Sequence, residues 1–120
     1  MNAKQIVQDF YKSDVLLSST LVTEFLHPDV VLEWHSSTGF IKLSHDEIIA
    51  YSNELSKAYI RSKIRISHIL EEGNTVSVRY SHYVKTVENP REEMLLANFI
   101  VIWELKNDKL YRGYQMSQLY

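Results

Sequence analysis

The chain has 120 residues, of which 45% are hydrophobic and 23% charged, and its formal net charge at pH 7 is −2. This composition fits a single globular domain with a buried core and excludes a disordered chain. The slightly acidic balance argues against nucleic acid as the main partner. Because the chain contains no cysteine, disulfides, thiol catalysis and thiolate metal sites are also excluded.

Two local features bear on partners and location. Four basic residues lie close together in the sequence: Lys57, Arg61, Lys63 and Arg65. We explain most of this group by the favourable interaction of positive charge with the dipole at a helix C-terminus. No apolar run approaches the roughly 18 residues of a membrane helix, and the start of the chain, 1–5, lacks the apolar core of a signal peptide. We therefore expect a cytoplasmic domain without a membrane partner.

Helical spacing dominates the N-terminal part. Apolar residues repeat at this spacing in two stretches: Ile6, Val7, Phe10 and Tyr11, then Leu21, Val22, Phe25 and Leu26. The second helix should end near His27, because the residue before Pro28 is pushed out of the α region. The run 30–34 then predicts a strand, and 36–39 a turn.

A capping box predicts the start of a third helix. The Ser44 side chain can accept from a backbone N–H of the first turn while Glu47 reaches back to the Ser44 amide. Ile48, Tyr51, Leu55 and Tyr59 would form one stripe of this helix.

From Ser62 onward the apolar residues alternate with polar ones, which predicts four long strands. Breaks at 72–74, 89–91 and 106–109 separate them, so the strands should cover about 62–71, 76–84, 93–105 and 110–119. Helices followed by a run of strands predict an α+β domain, 1–120, with three N-terminal helices on one face of a curved antiparallel sheet.

The third long strand is apolar on both faces, and helices can cover only one of them. The simplest cover for the outer face is a second copy of the chain. We therefore predict a homodimer through the convex face of the sheet, with Leu96, Ile100 and Ile102 in the contact.

The order of these elements resembles the nuclear-transport-factor-2-like superfamily, and in particular its SnoaL-like and ketosteroid-isomerase-like branch. The resemblance rests on Leu26-x-Pro28-Asp29-Val30 before a short strand pair, Gly39 before the capped helix, and four long strands. It implies a cone-shaped fold with an apolar pocket open at one end and, in many members, a dimer through the sheet. Functions in the superfamily range from isomerases, cyclases and epoxide hydrolases to binding domains, so the fold does not decide between them.

The acids of ketosteroid isomerases have no counterpart at the matching positions. The resemblance would place a carboxylate base at position 34, where this chain has Trp34. The base is therefore absent, unless the neighbouring His35 turns inward to replace it. The tyrosine donor that the family carries on the first helix would fall nearest Phe10, with Tyr11 one residue out of register. The family's second acid would fall near Val101, where no inward carboxylate exists. Steroid-type isomerisation is therefore disfavoured.

Strand alternation predicts what the pocket contains. On the second and third long strands Val78, Tyr80, His82, Phe99, Val101 and Trp103 should face inward. On the last strand we expect Gln115 and Ser117 to face inward with Tyr111, opposite Leu110, Arg112, Tyr114 and Met116, although a register slip would invert this. The predicted ligand-binding residues are Trp34, Tyr80, His82, Phe99, Trp103, Gln115 and Ser117.

Three functions remain open from the sequence. The first is a binding domain for a small apolar or aromatic ligand. The second is a lyase, isomerase or polyketide-cyclase-like enzyme in which His82 moves a proton, oriented by Tyr80 or Gln115; a core histidine is the alternative reading of His82. The third is a dimeric interaction module whose cavity is closed by its own aromatic side chains. We expect no metal, because the five histidines show no paired ligand spacing, and no other cofactor.

Overall fold

The structure is a computed structural model that describes residues 2–120. Its elements in chain order are α1 (Ala3–Phe10), a 3-10 turn (Val15–Leu17), α2 (Ser19–Phe25), β1 (Leu26–Ser36), β2 (Gly39–Ser44), α3 (His45–Ala58), β3 (Tyr59–Glu72), β4 (Thr75–Thr86), β5 (Met94–Lys106) and β6 (Lys109–Leu119). The predicted α+β class, with three helices before the long strands, is confirmed.

The helix boundaries follow the capping signals of the sequence. The Ser44 hydroxyl accepts from the Glu47 amide and the Glu47 carboxylate accepts from the Ser44 amide, so the capping box of α3 is formed. Helix α2 ends at Phe25, but β1 begins at Leu26 and already contains Pro28. The first strand is therefore longer than the predicted run 30–34.

The six strands form one sheet in the order β2-β1-β6-β5-β4-β3. All neighbouring pairs are antiparallel except β1 and β6, which are parallel. The sheet is therefore mixed, whereas we expected antiparallel pairing throughout. Alternation of apolar and polar residues has the same period in both arrangements, so it could not reveal this pairing.

The hairpin turns lie where the sequence places them. Gly73 has a φ of 59° between β3 and β4, and Asn107 and Asp108 have φ of 54° and 59° between β5 and β6. Two successive residues with positive φ suit the right-handed twist of a tight hairpin, and Asn and Asp tolerate this conformation best after glycine.

A bulge changes the predicted faces of β6. Glu104 pairs with Arg112 while the next residue, Leu105, pairs with Leu110, so one extra residue is accommodated at Tyr111. Leu110 consequently lies fully buried in the core. Its predicted place on the outer face with Arg112 is wrong, because simple alternation fails across a bulge.

The core lies between the concave face of the sheet and the helices. It combines Val7 and Phe10 of α1 and Val22 of α2 with Val78 and Trp103 of the sheet. A Cβ atom at position 113 would lie 2.5 Å from Trp103 and 2.6 Å from Leu32, so glycine at this position lets the indole approach β6 closely.

Most of the basic residues near position 60 lie in a strand. Lys57 is in the last turn of α3, but Arg61, Lys63 and Arg65 belong to the edge strand β3. Attributing this group mainly to a helix C-terminus is therefore wrong, because α3 ends at Ala58.

The outer face of the sheet carries exposed apolar side chains from its two central strands. They are Ile100 and Ile102 of β5 with Tyr114 and Met116 of β6. Leu96, which we placed with the isoleucines, is half-buried and packs against the core. A register shift between β4 and β5 lies beside it.

Within residues 2–120, every helix is too short or too polar to cross a membrane.

Candidate ligand-binding cavity

A cavity of about 80 Å³ lies between the concave face of the sheet and α3. Six of the seven predicted ligand-binding residues line it: Trp34, Tyr80, His82, Phe99, Trp103 and Gln115. The other contributing side chains are Phe10, Tyr11, Leu16, Val22, Leu32, Leu43, Ile48, Tyr51, Ser52 and Leu55. This lining is aromatic and aliphatic and contains no charged residue among the described part of the chain.

Ser117, the seventh predicted ligand-binding residue, does not line the cavity. Its hydroxyl accepts a hydrogen bond of 2.8 Å from Trp34 Nε1. The Trp34 ring also makes an edge contact with Tyr51, at 5.2 Å between centroids, and lies 6.2 Å from Phe99. Ser117 therefore holds the indole that forms one wall of the cavity.

Three aromatic residues with polar groups cluster at the buried end of the cavity. Trp103 Nε1 donates to the Tyr11 hydroxyl at 2.9 Å, and the Tyr11 and Tyr80 rings lie 4.7 Å apart between centroids. Burial raises the pKa of both tyrosines, so both hydroxyls keep their protons at neutral pH. The Tyr80 hydroxyl lines the cavity and keeps its proton, so it can donate to a ligand oxygen.

His82 lies on the neighbouring part of β4 and is held by a serine of β3. Its Nε2 and the Ser62 hydroxyl are 2.7 Å apart. Burial lowers the pKa of His82 to about 4, so the imidazole is neutral at pH 7. No described protein group hydrogen-bonds to Nδ1, which is therefore the nitrogen available to a ligand.

The connection before the 3-10 turn fixes Ser62 in place. The Ser62 amide donates to Asp14 Oδ1 at 2.8 Å, and the Asp14 amide donates to the Ser62 carbonyl at 2.8 Å. Asp14 adopts a left-handed conformation, with φ of 68°, to make both contacts. The histidine is thus positioned through two residues distant in sequence.

The position that would hold an isomerase base is occupied by the cavity-lining Trp34. His35 is exposed and its ring contacts that of Phe40 at a tilt of 38°, with ring centroids 4.4 Å apart. It therefore lies away from the cavity and does not replace the missing carboxylate. Val101 is fully buried, and no acid lies at the second position either.

Two polar cavity groups were not among the predicted site residues. Tyr11 shares a helical stripe with Val7 and could have been recognised as inward-facing, but its hydroxyl partner Trp103 is 92 residues away. Ser52 is buried on α3, where its hydroxyl donates to the Leu16 carbonyl at 2.7 Å. The helical period predicts which side chains face inward, but it does not predict either of these two hydrogen bonds.

Residues 2–120 contain no group of three or more His, Cys, Asp or Glu side chains placed to hold a metal ion.

Comparison with known proteins identifies the family. The model of the SnoaL-like domain matches residues 18–113, which is most of the chain. The chain belongs to the SnoaL-like domain family. This domain is part of the nuclear-transport-factor-2-like superfamily, so the resemblance inferred from the element order is confirmed. No curated protein matches the chain.

Solved structures with the same fold have diverged far in sequence. A candidate polyketide cyclase, IdmH from Streptomyces antibioticus, has a TM-score of 0.74 at 11% identity, covering 98% of this chain and 92% of that one. An epoxide hydrolase of the LEH-like type from M. tuberculosis has 0.73 at 14% identity, covering 96% and 81%. An NTF2-like protein of unknown function from Burkholderia pseudomallei has 0.68 at 20% identity, covering 96% and 89%. At these identities the likeness establishes the fold alone.

Proposed function

We propose that this SnoaL-like domain binds a small ligand with an aromatic or apolar body and a single polar oxygen. The observation that carries the proposal is the uncharged aromatic cavity, whose few polar groups include the Tyr80 hydroxyl and the His82 imidazole. An apolar cavity with a few convergent polar groups is typical of small-molecule sites.

The volume limits the size of the ligand. About 80 Å³ is roughly half of the engineered ~150 Å³ cavity that admits benzene. A ligand with one ring therefore requires a wall to move. Trp34 and Tyr51 are both half-buried, whereas Tyr11, Tyr80 and Trp103 are buried, so the movable wall is the one that Trp34 and Tyr51 form.

Phenol and toluene provide a direct test. A tyrosine hydroxyl should favour phenol, and its loss in Tyr80→Phe should weaken phenol binding about five- to tenfold, the equivalent of one hydrogen bond. Toluene binding should change little. Tyr83→Phe is the matched control, because Tyr83 is on the same strand but does not line the cavity.

Calorimetry and thermal unfolding with each compound would measure these affinities. The proposal is contradicted if wild type binds neither compound. It is equally contradicted if Tyr80→Phe and Tyr83→Phe affect phenol alike.

Enzymatic proton transfer is a second candidate, and the placement of His82 favours it. The imidazole is neutral at pH 7, and in the tautomer whose Nε2–H donates to Ser62, Nδ1 can accept a proton from a bound substrate. Structural relatives described as an epoxide hydrolase and a candidate polyketide cyclase are in keeping with this alternative. The binding function is preferred, because a base with a pKa of about 4 is weak and no carboxylate of residues 2–120 lines the cavity.

The pH dependence of turnover separates the two functions. An enzyme that uses His82 should lose activity at acid pH with an apparent pKa near 4, and His82→Gln should abolish turnover. If the chain is only a binding domain, neither wild type nor His82→Gln should convert epoxide or polyketone substrates.

We also propose that the chain forms a homodimer through the convex face. Ile100, Ile102, Tyr114 and Met116 supply neighbouring exposed apolar side chains on the two central strands, which a second copy could cover. Ile100→Glu should convert the dimer to a monomer in light scattering at micromolar concentration. Val87→Glu is the control, since Val87 is 54% exposed and Ile100 53%, but Val87 lies outside the sheet. A monomeric wild type contradicts this proposal.

A further inference from the structure

A separate pocket of about 280 Å³ lies where β3 and β4 meet the connection between β4 and β5. Three basic side chains line it, Arg61, Lys63 and Lys85, together with the single acid Glu93. These basic residues alternate along their strands with the buried Ser62 and Val84. The pocket therefore lies at the edge strand β3, and Ser13 of the connection after α1 completes its lining.

Strand register brings the positive charges together. Arg61 pairs directly with Lys85 across β3 and β4, and Lys63 pairs with Tyr83. Lys63 and Lys85 are thus diagonal neighbours, roughly 7–8 Å apart at the backbone. Like charges directly opposite each other in a sheet are unfavourable, so this arrangement needs a compensating negative charge.

The acids nearby do not compensate all of it. Arg61 pairs with Asp14 at 3.3 Å, and Arg65 pairs with Glu93 at 3.7 Å. Within residues 2–120, neither Lys63 nor Lys85 forms an ion pair, and Lys85 is half-buried. Two lysine charges at this pocket are therefore left for a ligand.

We propose that this pocket binds a small multivalent oxyanion of the phosphate class. Lysine ammonium groups bind phosphate as point charges, and the hydroxyls of Ser13 and Tyr83 provide neutral donors in the same lining. The Arg65 guanidinium lies 4.7 Å from the centroid of the Tyr83 ring and restricts that side chain. The volume lies just below the usual range for drug-sized ligands, from about 300 Å³, which suits a compact anion.

This site is independent of the candidate ligand-binding cavity. The linings of the two have no residue in common, although the Ser62 hydroxyl bonds to His82. A failure to bind phenol would therefore leave the oxyanion proposal intact, and the reverse also holds.

Pyrophosphate titrated into the full chain by calorimetry, at an ionic strength held constant with sodium chloride, tests the site. Lys63→Gln and Lys85→Gln should each weaken pyrophosphate binding about tenfold, because each removes one charge from beside a multivalent anion. Lys42→Gln is the matched control, since Lys42 lies on β2 at the opposite edge of the sheet.

Thermal unfolding separates binding from a structural role. Without anion, Lys85→Gln should unfold at the same temperature as wild type or higher, because it removes the charge opposite Arg61. The stabilisation by pyrophosphate should decrease in the same variant. The proposal is overturned if wild type does not distinguish pyrophosphate from chloride at equal ionic strength, or if Lys42→Gln weakens binding as much as Lys85→Gln.

Discussion

Burial of a neutral histidine makes the stability of this domain depend on pH. His82 is 3% exposed, and Ser62 is its hydrogen-bonding partner. In the folded chain its pKa is about 4, whereas an unperturbed histidine titrates at 6.5. Between these two values the unfolded chain binds more protons than the folded one. The free energy of unfolding should therefore decrease as the pH falls from 6.5 toward 4.

The size of the effect follows from the two pKa values. The interval from 6.5 to 4 corresponds to about 3 kcal/mol in total, of which about 2.5 kcal/mol is already lost at pH 4.5. Above pH 6.5 the histidine contribution is constant. This is a large fraction of the 5–15 kcal/mol that is usual for a folded domain.

Urea unfolding of wild type and His82→Gln at several pH values between about 4.5 and 7.5 isolates this contribution. At pH 7.5 the variant should be less stable by about 1 kcal/mol, through its altered contact with Ser62. At pH 4.5 the difference should vanish or reverse, because only wild type must protonate a buried imidazole. Hydrogen bonds from Lys12 and the Ser44 backbone lower the pKa values of Asp9 and Glu47, but their effect is the same in both proteins and cancels.

The NMR titration of the histidine ring protons gives the pKa directly and does not depend on a folded variant. His82 should titrate near 4. A value near 6.5, or an equal loss of stability in wild type and His82→Gln, would refute the buried neutral state.

Two further predictions concern stability and use urea unfolding at neutral pH. Gly113→Ala should destabilise the fold by about 1–3 kcal/mol, since the new methyl group would overlap Trp103 and Leu32; a variant as stable as wild type would show that the indole can shift freely. Ser44→Ala should cost about 1 kcal/mol by removing the side-chain half of the capping box with Glu47; no loss would mean that the box contributes little to α3.

Most of the fold could be predicted because its signals are local. The Ser44 capping box fixed the start of α3, and Pro28 marked the end of α2 within a few residues. The turns at Gly73 and at Asn107 use residues that tolerate positive φ. The parallel pairing of β1 with β6 joins residues about 80 positions apart, and no local pattern encodes it.

The cavity could be predicted only where alternation is regular. It correctly predicted that Tyr80, His82 and Phe99 face inward, since the pairing of β4 with β5 is regular from Thr75 to His82 and shifts only after His82. It failed at Leu110, where a bulge interrupts the register. The hydrogen bond from Trp103 to Tyr11 depends on how the end of α1 packs against β5. Alternation along a single strand does not reveal this packing.

The aromatic network that forms the cavity also determines how it can open. Trp103 and Tyr11 are buried and hydrogen-bonded to each other, and Gly113 allows no free space behind the indole. This end of the cavity must therefore stay rigid when a ligand binds. Trp34 is half-buried and is held by one hydrogen bond to Ser117 and an edge contact with α3. Because these contacts cost less to break than the buried ones, we expect ligand size to be set by how far Trp34 moves, and ligand chemistry by the rigid end.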